Sequence, residues 1–110
     1  MKLPHLHRTL TALLLGALAL SAWSKDVLID VRTPQEFAQG HIAGAINIDH
    51  SVIAQEIAKA KVSKDDNVIL YCRSGRRSEI ALNTLHKMGY RKAQNYGSMD
   101  AANKRLERQP

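Results

Sequence analysis

Cys72 is the only cysteine of this chain, and it follows an apolar run at residues 68–71. Such a run is typical of a strand buried in a parallel sheet. A loop with Gly75 and three arginines comes next, and the pattern after that loop predicts a helix. The N–H groups of such a loop, the helix dipole and guanidinium groups all stabilise a thiolate relative to a thiol. We therefore predict an ionised, reachable nucleophile at the end of a strand, in a loop that can bind an anion.

A different interpretation of Cys72 is that it is only a small buried hydrophobic residue, which is the commoner role of a lone cysteine. Cys72 ends its predicted strand, and the polar and small residues Arg73, Ser74 and Gly75 that follow would make a poor core. An unpaired cysteine in an exported protein is also compatible with an intermolecular disulfide. A free reactive thiol fits the loop better, and we adopt that interpretation.

The first 24 residues have the pattern of a cleavable signal peptide. Lys2 and Arg8 form a basic start, residues 10–20 are apolar, and residues 21–24 include small side chains suited to cleavage. The apolar run is shorter than the roughly 20 residues that a membrane-spanning helix needs. An uncleaved membrane anchor is therefore the alternative to a cleaved signal peptide. We expect residues 1–24 to be removed, which predicts a periplasmic protein with no stable membrane anchor.

The mature chain, residues 25–110, is expected to be one small domain and a monomer. It carries 14 Lys and Arg against 10 Asp and Glu, a net charge of about +4. Three of these cations lie in the cysteine loop, so attraction of a small anion accounts for the local charge. Aromatic residues are few and scattered, whereas a nucleic-acid surface needs them beside the basic ones. Nucleic-acid binding is therefore not expected.

Strand and helix signals alternate along the mature chain. A buried strand is predicted at residues 27–31, followed by a short helix with Thr33 as N-cap, Pro34 in its first turn and Glu36 completing a capping box. Gly40 should end that helix. A second short strand is predicted at residues 45–48, and Asp49 or Ser51 should cap the next helix. A weaker strand at residues 92–96, broken by Gly97, precedes a last helix at residues 100–108.

The apolar faces of the three later helices indicate how they pack. The residues that we expect to be buried are Val52, Ile53 and Ile57, then Ile80, Ala81, Leu85 and Met88 before a stop at Gly89, and lastly Leu106. Alternating strands and helices predict an α/β fold, with one small parallel sheet flanked by helices on both faces. In such sheets ligands bind at the carboxyl ends of the strands, which is where Cys72 lies.

Several segments resemble the rhodanese family. They are Asp-Val-Arg at residues 30–32, Glu-Phe at 36–37, Gly-His-Ile-Ala-Gly-Ala-Ile-Asn-Ile at 40–48 and Cys-Arg-Ser-Gly-Arg-Arg-Ser at 72–78. The order and spacing match from about residue 27 to residue 97. The small size and the leader resemble the exported single-domain members of the phage-shock-protein E type. The resemblance implies a rhodanese domain at residues 25–110 that moves the sulfane sulfur of thiosulfate to a thiol or cyanide through a persulfide on Cys72, with no cofactor.

The resemblance also suggests roles for the loop. The N–H groups of a substrate-binding ring would stabilise the sulfur anion, and this ring consists of Arg73, Ser74, Gly75, Arg76, Arg77 and Ser78. We expect Arg73 and Arg76 to point outward and attract an anionic donor, and Arg77 to brace the loop. Asp30 and Arg32 are interpreted as a structural pair that supports the cysteine loop, with a catalytic role as the alternative. His41 is interpreted as a turn-packing residue instead of an acid–base group.

Two other chemistries and two other functions are the alternatives to a thiosulfate sulfurtransferase. Cysteine phosphatases have a longer loop between cysteine and arginine than Cys72 and Arg77 allow, which disfavours phosphate. The arginine-rich loop resembles the thiosulfate type more than the neutral loop of mercaptopyruvate sulfurtransferases, although residues 97–99 depart from the family and leave the pocket shape open. A sulfur-carrier module that serves a partner protein is the alternative function, and an inactive contact domain is the third. His50 and His86 lack ligand spacing, so no metal site is expected.

Overall fold

The structure is a computed structural model that describes residues 24–109. The predicted signal peptide therefore lies almost entirely outside the described residues. Four parallel strands form one sheet in the order β2-β1-β3-β4, with β1 Asp26–Asp30, β2 Ile46–Asn47, β3 Asn67–Cys72 and β4 Gln94–Ser98. The helices are α1 Pro34–Gln39, α2 Ile53–Glu56, α3 Arg76–Met88 and α4 Met99–Glu107, with a 3-10 turn at His50–Val52 before α2.

Apolar side chains cover both faces of this sheet. On one face, strand residues such as Val68 and Leu70 pack with Ile53 of α2 and Leu85 of α3. On the other face, Ile69, Tyr71 and Tyr96 pack with Ala102 of α4 and with Met99 and Leu106, which are partly buried. β3 is buried on both sides, which explains its continuous apolar run. The predicted α/β fold, with helices on both faces of a parallel sheet, is confirmed.

Helix α1 begins and ends where the sequence predicts. The Thr33 hydroxyl accepts a hydrogen bond from the Glu36 N–H at 3.2 Å, and the Glu36 carboxylate accepts one from the Thr33 N–H at 3.1 Å. Gly40 caps the other end. α1 buries none of its residues, and polar contacts described below join it to α3 and to the segment that follows β1.

The predicted apolar faces are partly wrong. Val52 is 42% exposed because it lies in the 3-10 turn and not in α2. Ile80 is 49% exposed, since α3 turns Ser78, Ala81 and Leu85 toward the core and leaves Ile80 on the outer side. Gly89 ends α3 as predicted.

The last strand and helix also differ from the prediction. β4 is not broken at Gly97 but continues through it, with a positive φ of 92°, to Ser98. The register against β3 shifts between Leu70 and Cys72, and this irregularity accommodates the glycine. In α4 the fully buried residue is Ala102, whereas Leu106 is half-buried. None of the helices described in the structure combines the length and hydropathy needed to span a bilayer.

Candidate active site

The site is built where β3 ends and α3 begins. β3 delivers Cys72 to the carboxyl edge of the sheet, and three residues, Arg73, Ser74 and Gly75, connect it to the first turn of α3. Gly75 has a φ of 93°, and a Cβ at this position would lie 3.3 Å from the Cα of Gly97. The loop therefore needs glycine both for its left-handed backbone and for its close approach to β4.

The Cys72 thiol lies beneath this loop and not at an open rim. The residue is 0% exposed, so the prediction of a directly reachable thiol is wrong. The sulfur nevertheless has polar neighbours. The Gly75 N–H donates a hydrogen bond to Sγ at 3.0 Å, and the Ser78 hydroxyl lies 3.4 Å from it.

Burial and hydrogen bonding act on the Cys72 thiol in opposite directions. Burial alone raises its pKa, because it disfavours the charged form. Hydrogen bonds from the Ser78 side chain and from the N–H groups of Ser78, Ser74 and Gly75 favour the thiolate, and together they outweigh burial. The pKa of Cys72 therefore lies below its ordinary value, as expected for a nucleophilic thiol.

Arg77 joins the cysteine loop to α1. Its Nη1 and Nη2 donate hydrogen bonds to the two carboxylate oxygens of Glu36 at 2.7 and 2.9 Å. This pair, followed by the hydrogen bond from the Thr33 N–H, lowers the pKa of Glu36 to about 2. The pKa of Arg77 is raised chiefly by Glu36, with a smaller contribution from the nearby Cys72. The sequence identified Glu36 as a capping residue and as part of a family-like segment, but its partner on α3 was missed.

The other two arginines of the loop lie outside this pair. Arg73 and Arg76 are exposed, which agrees with the expectation that they face solvent. They supply exposed positive charge within four residues of Cys72.

Asp30 and Arg32 form a buried ion pair behind the site. The Arg32 Nη2 donates to Asp30 Oδ2 at 2.7 Å and to the Gly40 carbonyl at 2.7 Å. The pair therefore ties the end of β1 to the end of α1, and in the described part of the chain its side chains form no hydrogen bond with residues 73–78. The expectation of a structural pair agrees with this geometry, but the segment that it supports is a different one. Nearby, burial first and then Asp30 raise the pKa of Tyr71 to about 12, while the Tyr71 hydroxyl accepts the Ile42 N–H at 3.0 Å.

His41 packs locally, as its interpretation as a turn residue requires. Its ring stacks on Phe37 with centroids 3.6 Å apart, and its Nδ1 lies 2.8 Å from the Phe37 carbonyl oxygen. Across residues 24–109, no group of three His, Cys, Asp or Glu side chains is arranged to hold a metal ion.

Sequence reasoning missed Asn95. Its side-chain amide contacts the Gly75 carbonyl, the Ser78 hydroxyl and the Gly97 N–H. The available signal was a polar residue placed inside a predicted strand, directly before the carboxyl edge of the sheet.

Fold and site together define an α/β protein whose one cysteine lies at the carboxyl edge of a parallel sheet, with hydrogen-bond donors from the following loop and helix next to its sulfur. The sequence model of the rhodanese-like domain family matches residues 16–104, and the chain belongs to this family.

Individual proteins with similar sequences or structures also support membership in the rhodanese family. The chain is 39% identical over 81 residues to the thiosulfate sulfurtransferase PspE of Escherichia coli K12, a match that covers 74% of this chain and 78% of that protein. It is 34% identical over 68 residues to Bacillus subtilis YrkF, whose name provisionally describes a sulfur carrier; the match covers 62% of this chain but only 36% of YrkF. A solved structure of a rhodanese with anions from E. coli superposes with a TM-score of 0.66 at 39% identity, and covers 69% of this chain and 89% of that one.

Proposed function

We propose that this chain is a thiosulfate sulfurtransferase that works through a persulfide on Cys72. The observation that carries the proposal is the environment of Sγ, which combines burial with donors from Gly75 and Ser78 at 3.0 and 3.4 Å. These donors point at one sulfur atom and would stabilise negative charge there. The similarity to PspE, named a thiosulfate sulfurtransferase, supports thiosulfate as the donor.

The first half-reaction loads the enzyme. The Cys72 thiolate attacks the outer sulfur of thiosulfate, a bond forms between the two sulfurs, and sulfite leaves with the electron pair of the broken sulfur–sulfur bond. The product is a terminal persulfide anion on Cys72. The exposed guanidinium groups of Arg73 and Arg76 attract the dianionic donor, and the loop N–H groups hold the charge once the sulfur has entered.

The second half-reaction unloads the enzyme. A thiolate or cyanide attacks the terminal sulfur, and the Cys72 thiolate leaves in its original form. Because Cys72 is buried, donor and acceptor must both reach Sγ past the residues that follow it in the loop.

The test is cyanide-dependent formation of thiocyanate from thiosulfate by the purified protein. Cys72→Ser should abolish turnover, whereas Cys72 in the parent protein should gain the mass of one sulfur atom when treated with thiosulfate alone. A Cys72→Ser variant with parental turnover would remove the persulfide from the mechanism.

A sulfur carrier is the second candidate, favoured by the similarity to YrkF, whose name provisionally describes a sulfur carrier. A carrier would show the same mass gain but would release its sulfur slowly to cyanide or small thiols. Single-turnover release that is slow with every small acceptor would favour the carrier over the enzyme.

Export is a further part of the proposal. We propose that residues 1–24 are a signal peptide and that residues 25–110 act as a monomer in the periplasm. Amino-terminal sequencing and native mass measurement of the protein recovered from the periplasmic fraction would test all three points. A protein that keeps Met1 and stays with the membrane would contradict them.

A further inference from the structure

Asn95 of β4 contacts the cysteine loop with both ends of its side-chain amide. Its Oδ1 accepts a hydrogen bond from the Gly97 N–H at 2.8 Å and lies 2.7 Å from the Ser78 hydroxyl. Its Nδ2 donates to the Gly75 carbonyl at 3.1 Å and to a Glu79 carboxylate oxygen at 3.0 Å. A backbone N–H can only donate and a carbonyl can only accept, so these partners fix which end of the amide faces which neighbour.

The Ser78 hydroxyl has one proton and three acceptors within reach. These are Asn95 Oδ1 at 2.7 Å, the Gly75 carbonyl at 3.0 Å and Cys72 Sγ at 3.4 Å. A hydroxyl donates to one acceptor at a time. Beside a neutral thiol the closest acceptor is Asn95. Once Cys72 ionises, the charged sulfur becomes the stronger acceptor, because hydrogen bonds to ionised groups are about twice as strong as neutral ones.

We propose that Asn95 is a positioning residue for Cys72: it holds the Gly75 N–H and the Ser78 hydroxyl next to Sγ, and it gives up the hydrogen bond from the Ser78 hydroxyl to Sγ when Cys72 ionises. The two tasks use different ends of the amide. Nδ2 fixes the Gly75 carbonyl and with it the turn that presents the Gly75 N–H, while Oδ1 holds the hydroxyl in place until the sulfur is charged. The inference rests on the proposed function for the role of Cys72 as the reacting group.

Several charged side chains lie near Cys72 and Asn95 and can also influence the ionisation of Cys72. From α3, Arg77 lies near Cys72 and Glu79 contacts Asn95, while Glu36 of α1 pairs with Arg77. The charge of Asp49, which follows β2, also raises the pKa of Arg77. Asn95 itself is neutral, so a change at this position alters the pKa of Cys72 without removing any of these charges.

The main experiment measures the rate of Cys72 alkylation by iodoacetamide as a function of pH. Asn95→Asp should raise the pH midpoint of the alkylation rate by about one unit, since it places a carboxylate next to Ser78 and removes the two hydrogen bonds that Nδ2 donates. Asn95→Ala should raise it less, because no charge is added. Gln94→Glu is the matched control: it makes the same charge change one residue away, where the side chain is exposed and lies beside Arg105. Its midpoint should equal that of the parent protein.

A second measurement needs no variant. If the Ser78 hydroxyl turns its hydrogen bond from Asn95 Oδ1 to Sγ when Cys72 ionises, the NMR resonances of the Asn95 side-chain amide and of the Gly97 N–H should shift with the same pH midpoint as the alkylation rate. A folded Asn95→Asp protein with the parental midpoint would overturn the proposal, as would resonances that stay fixed through the Cys72 titration. Neither measurement uses thiosulfate. The result for Asn95 is therefore independent of whether thiosulfate is the sulfur donor.

Discussion

Arg77 and Glu36 are 41 residues apart in sequence, yet two hydrogen bonds of 2.7 and 2.9 Å join them. The pair connects the first turn of α3 to α1, a helix that buries none of its residues. The carboxylate of Glu36 also accepts the Thr33 N–H. One side chain therefore caps α1 and braces the helix that follows the cysteine loop, and this double role leads to the first prediction.

Glu36→Gln should lower the free energy of unfolding at pH 7 by about 1 kcal/mol, because it removes the charge of a partly buried bidentate pair but leaves an oxygen for the capping box. The folded-state pKa of Glu36 is lowered from its ordinary 4.5 to about 2. The stabilisation is therefore complete above pH 4.5 and is lost as the pH falls toward 2. Urea unfolding from pH 7 to pH 2 should show the difference between parent and variant shrinking to zero. Glu107→Gln, an exposed control with the same charge change, should show no such convergence, and a difference that persists unchanged at pH 2 would contradict the assignment.

Ser78→Ala should raise the pKa of Cys72, because it removes the side-chain hydrogen bond that contributes most among those that lower this pKa. We expect alkylation of Cys72 at pH 7 to slow by about three- to tenfold, which corresponds to roughly half to one pKa unit. Ser74→Ala is the control: the Ser74 N–H also lowers the pKa, but its exposed side chain does not. Equal slowing in both variants would show that the Ser78 hydroxyl has no special part.

Arg76→Glu should raise the thiosulfate KM by about an order of magnitude with a smaller effect on kcat, because it reverses an exposed charge at the entrance to the loop. The difference from the parent should diminish at high salt, since exposed charges are screened. Arg91→Glu makes the same charge change beyond the far end of α3, at an exposed position, and should leave KM unchanged. Steady-state kinetics at two ionic strengths would decide, and a KM that rises equally in both variants would point to net charge alone.

Gly75→Ala and Gly44→Ala form a matched pair. Both glycines have positive φ, 93° and 85°, so each alanine incurs backbone strain of about 1 kcal/mol. At Gly44 the new Cβ meets no atom within 4 Å, whereas at Gly75 it lies 3.3 Å from the backbone of Gly97. Thermal unfolding should therefore show a larger loss for Gly75→Ala, and sulfur loading of Cys72 should fall in that variant only. Equal losses in stability would mean that the contact between the loop and β4 relaxes at no cost.

Local signals in the sequence predicted much of this molecule. The capping box of Thr33 and Glu36, the stops at Gly40 and Gly89 and the apolar run of β3 all depend on residues within a few positions of one another. Over such short separations the backbone geometry determines which hydrogen bonds form and which side chains share a face. These features can therefore be predicted without knowing the tertiary structure. The place of Cys72 at the carboxyl edge of a parallel sheet follows from the same alternation of strands and helices.

What the tertiary structure decided concerns contacts between distant segments. The burial of Cys72, the outward side of Ile80 and the contact of Gly75 with Gly97 depend on how tightly the loop packs on β4 and how α3 is rotated on the sheet. The hydrogen bonds of Asn95 are of the same kind, because this residue lies 17 positions from Ser78 and 20 from Gly75. Residue types and spacing determined which atom could be the nucleophile. Only the packing of separate elements decided how deeply it is buried and which side chains hold its hydrogen-bond donors in place, because such contacts depend on the distances between elements that local sequence does not set.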